Sequence, residues 1–163
     1  MASEGAETLL ASATARRFVD ALREVEQDGE TGAMAELATD DTRWTSSGAA
    51  HSSTGPDGAR TFWDAYRRTY ADITSHFTTV TETDARAVLE WVSTGHHHDG
   101  QPVRYVGATV IDLAGDTVDE VRLYFDTTAA RAVATEGSGD AEAADTMLDD
   151  STAESGRNSG LAS

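Results

Sequence analysis

Five histidines and no cysteine set the first limit on the chemistry open to this chain. Without cysteine there is no disulfide framework and no thiolate nucleophile. Histidine gains and loses a proton near neutral pH. His51, in the small-residue loop SSGAAHSST, and His76, on a predicted strand, are the candidate general acids or bases. A solvated or internally satisfied histidine is the alternative reading of each. His96, His97 and His98, followed by Asp99, invite a metal reading. Adjacent side chains rarely converge on the tetrahedral geometry zinc wants, so the run is read as an exposed hairpin loop, with no metal and no cofactor expected. No phosphate-binding glycine loop, nucleophile elbow or HExxH pattern is present.

The remaining candidates lie on two long strands near the end of the patterned region. Tyr105, Gly107, Thr109 and Ile111 alternate with Val106, Ala108, Val110 and Asp112; after Gly115-Asp116, Val121, Leu123 and Phe125 alternate with Glu120, Arg122, Tyr124 and Asp126. Alternation of this length marks strands with two chemically different faces. One face is apolar with Tyr105 and Thr109 as its polar points, and Trp91 on the preceding strand joins it. Such a lining suits a small hydrophobic molecule oriented by a few hydrogen bonds; a filled interior is the competing reading. The same parity turns Asp126 toward Arg122 and Tyr124, and Glu90 and Asp112 also turn away. A carboxyl with its pKa raised by an apolar cavity would be the natural proton shuttle, and the sequence places none.

The elements that must position these residues are read from periodicity. The segment 7–27 reads as an amphipathic helix with Leu10, Thr14, Phe18, Ala21, Leu22 and Val25 on one face, ended by Asp28-Gly29. A short helix spans 31–37, and Arg43, Trp44 and Thr45 form a short first strand. Thr54, Pro56 and Asp57 open a third helix with capping-box spacing. Its stripe of Ala59, Phe62, Trp63, Tyr66 and Tyr70 reads as core, and Trp44, Phe62 and Tyr66 are candidate ligand contacts as well. Strands are predicted over 73–81 and 86–94, and Asp99-Gly100 signals the hairpin turn before the last two.

The chain of 163 residues holds 29 acids against 12 bases, a formal −17, and every base is arginine. That surface repels nucleic acid and anionic membrane. No apolar run approaches the roughly 20 residues needed to cross a bilayer, and no basic-then-apolar leader is visible, so a cytoplasmic location is expected. The segment 134–163 carries seven acids, one arginine and few large apolar residues. It reads as an acidic disordered tail after one domain, 1–133. Lysine-free acidity of this degree resembles proteins of extreme halophiles, whose salt-rich cytoplasm screens acid–acid repulsion.

The order of helix, short helix, short strand, long helix and four strands resembles the nuclear-transport-factor-2-like (NTF2-like) superfamily, and within it the SnoaL-like group. The opening helix, the run Ala59-Arg60-Thr61-Phe62-Trp63 with Tyr66-Arg67, and the closing Val121-Arg122-Leu123-Tyr124-Phe125-Asp126 carry the likeness. The resemblance implies an α+β cone: three N-terminal helices packed in a curved, mostly antiparallel sheet around an apolar pocket, often as a homodimer. Members include polyketide cyclases, ketosteroid isomerases, dehydratases, epoxide hydrolases and non-enzymatic binders. In the limonene-epoxide-hydrolase branch an Asp activates water from the position that Leu123 holds here, and the partner Arg and Asp would fall near Trp91 and Ser93. That route to epoxide hydrolysis is therefore not expected. The leading expectation is a binder of a small hydrophobic molecule, lined by Trp44, Phe62, Tyr66, Trp91, Tyr105, Thr109, Val121, Leu123 and Phe125. An acid–base enzyme using His51 or His76, and a module that dimerises through its sheet face, are the alternatives.

Overall fold

In the computed structural model the described residues are 5–48 and 52–126. His51 and the tail expected over 134–163 lie outside them. A single 3₁₀ turn, Ala6–Leu9, precedes α1 (Ala13–Asp28). The helix starts later than its periodicity predicts because the preceding amides have another partner. Glu82, seventy residues on, accepts from the N–H groups of Ala11 and Ser12 at 2.7 and 3.0 Å. Ser12 then caps the helix, its hydroxyl oxygen accepting from Ala15 N–H. Gly29 ends it in the left-handed region at φ 74°, its N–H returning to the Val25 carbonyl.

After α2 (Gly32–Glu36), β1 runs over Ala38–Ser46, three times the length its sequence suggests. The extension comes from non-local pairing: β1 lies parallel to the last strand, Thr117–Phe125, and the Thr42 hydroxyl donates to the Val118 carbonyl at 2.5 Å. The two-residue β2 (Ser53–Thr54) leads into α3 (Gly55–Arg68). Thr54 is the N-cap but makes no side-chain capping bond, so the predicted capping box does not form, although Pro56 sits in the first turn as expected. Four long strands follow: β3 (Asp72–Thr83), β4 (Arg86–His96), β5 (Pro102–Ala114) and β6 (Thr117–Phe125).

The six strands form one sheet in the order β2-β1-β6-β5-β4-β3, antiparallel throughout except for β1 beside β6. Register shifts between Phe77 and Thr79 in β3 and between Asp112 and Leu113 in β5 bend the sheet around the helices. The fold is the expected α+β cone. Its core lies between the concave sheet face and the inner sides of α1 and α3. Phe18, Trp44, Trp63, Leu89, Ile111 and Val121 are all within 1 % of full burial, and removing an aliphatic side chain of this kind from water contributes roughly 1.5–3 kcal/mol. On the outer face a ladder of charges crosses four strands. Asp112 accepts from Arg86 and Arg122 at 2.6 Å each, and Glu120 accepts from Arg122 and Arg43. Arg122, and then Arg86, hold the Asp112 carboxyl below its ordinary range. Among the described residues no helix is long and apolar enough to cross a membrane.

Candidate functional site

The concave face is built in rows, because paired strands place inward residues side by side. One row is polar: Ser75 of β3 pairs with Ser93 of β4, which pairs with Tyr105 of β5. The next is aromatic: Phe77, Trp91, Gly107 and Phe125. The row beyond carries Leu89, Thr109 and Leu123, and ends at Ser46 of β1.

Above the polar row sits a carboxyl that the sequence reading left unplaced. Glu26, in the last turn of α1, is only 6 % exposed. Its Oε1 accepts from the Tyr66 hydroxyl at 2.8 Å and from the Ser75 hydroxyl at 2.6 Å; its Oε2 accepts from Ser75 N–H at 3.0 Å. The Ser75 hydroxyl also lies 2.7 Å from that of Ser93. Burial raises the Glu26 pKa above its ordinary value of 4.5, and it outweighs the Ser75 and Tyr66 hydrogen bonds that favour the charged form. The C-terminal end of a helix dipole also disfavours a negative charge there. Burial likewise pushes the hydroxyls of Tyr66 and Tyr105 upward, so both stay protonated and act as donors. Oε1 already has two donors, whereas Oε2 has one and keeps a lone pair. Oε2 is the atom able to take up or release a proton.

An arc of rings frames this cluster. Phe62, Tyr66 and Phe18 each meet Trp63 edge-on, at 5.1, 5.5 and 5.8 Å between centroids. Tyr66 leads to Tyr70, Tyr70 stacks on Tyr105 at 6.0 Å, and Tyr105 meets Trp91 and Phe125 at 5.4 and 5.5 Å. Most of these rings are buried; Phe62, Tyr66 and Phe125 keep part of their surface open.

The expected lining residues divide. Tyr105, Thr109, Val121, Leu123 and Trp91 are buried on the concave face, as strand parity requires. Thr109 is already engaged, however, because its Oγ1 accepts from Trp91 Nε1 at 2.9 Å. Trp91 reaches it by lying over Gly107, where a Cβ would come within 2.6 Å of the indole. Trp44 is fully buried beneath α3, its Nε1 donating to the Gly55 carbonyl. His76, the candidate acid or base on this strand, is exposed: Ser75 and Phe77 turn inward on either side of it, so alternation sends its imidazole to the outer face, away from the concave side. The histidine run is structural in its contacts. His96 Nδ1 pairs with Asp72, His98 Nε2 meets the Arg68 carbonyl at the end of α3, and the His97 ring packs on Tyr70. Among the described residues no group of three or more His, Cys, Asp or Glu is placed to hold a metal.

Two signals could have located the cluster. Glu26 stands four residues after Leu22 and next to Val25, so helical spacing places it on the edge of the apolar face. Ser75 and Ser93 are small polar residues at inward strand positions.

The geometry defines an NTF2-like cone, and solved structures agree. An NTF2-like protein from Anabaena variabilis superposes with a TM-score of 0.66 at 19% identity, over 80% of this chain and 97% of its own. A hypothetical protein with a ketosteroid isomerase-like fold from Catenulispora acidiphila, in complex with trimethylamine, gives 0.63 at 16% identity, over 70% and 88%. TerC, co-crystallized with polyporic acid, gives 0.65 at 12% identity, over 75% and 98%. At these identities the likeness establishes the fold alone. The sequence matches none of the curated proteins compared. Residues 15–121 match the SnoaL-like domain, and the chain belongs to that family.

Proposed function

We propose that this SnoaL-like protein encloses a small, largely apolar molecule between α3 and the concave sheet face, and that the Glu26 carboxyl moves a proton on it. The carrying observation is the buried Glu26, hydrogen-bonded by Tyr66 and Ser75 inside an aromatic surround. As carboxylate, Oε2 takes a proton from an acidic carbon of the ligand; as acid, it returns that proton at a second position or to water. A raised pKa brings the two forms closer in population near neutral pH, where uptake and return are both practicable. Tyr105, held protonated, supplies a donor for an oxygen that gains charge, while the one Tyr66 proton is given to Glu26 Oε1. The partly open rings of Phe62, Tyr66 and Phe125 are the proposed entrance. Small ligands in two structures of the same fold, trimethylamine and polyporic acid, support the binding half of this reading. We place the protein in the cytoplasm on its composition, with no cofactor.

The test is hydrogen–deuterium exchange at the carbon beside the carbonyl of 1-tetralone, followed by proton NMR in D₂O. Exchange above the buffer rate that is lost in Glu26→Gln is expected. Exchange equal in the two proteins would sink the catalytic half and leave a binder.

A second reading, the homodimer, has its own observation. On the outer face Val106 and Tyr124 are 52 % and 49 % exposed, beside a depression of about 640 Å³ lined also by Val92, Ala108 and Glu90. Light scattering in molar salt decides it; a monomer at all concentrations would rule it out.

A further inference from the structure

Of the three tryptophans, two have used their indole N–H: Trp44 donates to Gly55 and Trp91 to Thr109. Trp63 has not. It is 1 % exposed, its Nε1 is buried, and no acceptor among the described residues reaches it. Its neighbours Phe18, Trp44, Phe62 and Tyr66 all meet it edge-to-face at 5.1–6.3 Å. They offer π faces, which are weak acceptors. A buried N–H without a true acceptor is costly, and native interiors seldom keep one.

Resting on the binding site proposed above, we infer that Trp63 is a ligand-binding residue whose indole N–H takes a neutral oxygen acceptor of the bound molecule. A ketone, ester or ether oxygen meets the requirement. An anionic acceptor does not, because among the described residues no cation hydrogen-bonds to the cluster and the Glu26 carboxyl stands one ring away, through Tyr66. Trp63 therefore selects ligands by a polar contact in a largely aromatic surround, beside the Tyr105 donor, and it sets where on the ligand the proton-exchanging carbon meets Glu26. No bond is made or broken at Trp63.

The experiment compares 1-tetralone with tetralin, which share a ring system and differ in the oxygen. Protein labelled with ¹⁵N at tryptophan is titrated with each. The Trp63 indole resonance, assigned with Trp44→Phe and Trp91→Phe, is expected to move downfield with tetralone only. Tetralone is expected to bind about tenfold more tightly, the worth of one neutral hydrogen bond. Trp63→Phe is expected to abolish that preference, read as the ratio of the two affinities. Both probes binding equally, or a tetralone preference that survives in Trp63→Phe, overturns the role of Trp63 and leaves the site standing. An indole signal already downfield without either probe identifies a buried water as the acceptor and also overturns it. If neither probe binds, the site itself falls and the inference with it. The indole shift is read on the unmutated protein, so a poorly folding Trp63→Phe does not remove the test.

Discussion

Replacing Glu26 by glutamine keeps the volume and removes the titration, so it isolates what burial does to this carboxyl. In the unfolded chain the glutamate loses its proton near 4.5; in the fold, burial holds the proton to higher pH. Between those two values the native state binds more protons than the unfolded one, so stability falls as pH rises and levels off above the folded pKa. Each unit by which the pKa is raised removes about 1.4 kcal/mol. The carboxamide has a cost of its own. With its oxygen at Oε1 it still serves Tyr66 and Ser75, but its nitrogen then faces Ser75 N–H; flipped, it faces the two hydroxyls. Either way a buried donor loses its acceptor, a loss of about 1–3 kcal/mol. Glu26→Gln is therefore expected to be less stable than the parent at pH 4, with a gap that narrows, and can invert, as pH rises toward 8. Urea denaturation at four pH values in constant molar salt measures it. The charge of His76, exposed next to Ser75, favours the carboxylate and so opposes the effect of burial, as the least of the influences on Glu26. A gap independent of pH, or one that widens toward pH 8, would refute the reasoning. Widening would mean that the Ser75 and Tyr66 hydrogen bonds outweigh burial.

Leu123→Asp should cost roughly 1–3 kcal/mol or more, because the site is 6 % exposed and a carboxyl there gives up its hydration; a normal NMR titration of that acid with stability unchanged would contradict its place in the wall. Gly107→Ala should destabilise by about 1–3 kcal/mol and shift the Trp91 fluorescence, since its Cβ would stand 2.5 Å from the Tyr124 carbonyl oxygen and 2.6 Å from the Trp91 ring; an unchanged emission maximum would show that the indole does not lie there. Stability should rise with salt, because a net −17 is poorly screened at low ionic strength, whereas at 1 M the Debye length is only about 3 Å; circular dichroism unchanged from molar to millimolar salt would remove the case for halophilic adaptation.

Two properties of this protein were already legible in its residues. The facing of β5 and β6 was readable because side-chain alternation is a local consequence of strand geometry. Val121, Leu123 and Phe125 had to share a face whatever lay opposite, and they pair with Ile111, Thr109 and Gly107 as that parity demands. The helix–sheet order was readable for the same reason. What stayed hidden depends on partners far along the chain. The Thr- and Asp-rich residues 39–42 are held in β1 only because its two ends pair with β6, Ala38 with Val118 and Arg43 with Glu120, and the Thr42 hydroxyl reaches the Val118 carbonyl across the register shift between them; Ala11 and Ser12 stayed out of α1 because Glu82 took their amides. His76 turned outward through the register of β3 beside a bulge, which a short mixed stretch such as Ser75-His76-Phe77-Thr78-Thr79 does not specify. Glu26 is the sharpest case. Local spacing puts it at the border of an apolar face, where a glutamate ordinarily swings into water. It stays inside because Tyr66 and Ser75, 40 and 49 residues away, arrive with hydrogen bonds. A buried charge-bearing group is tolerated only where such partners converge, and that convergence exists in the tertiary structure alone.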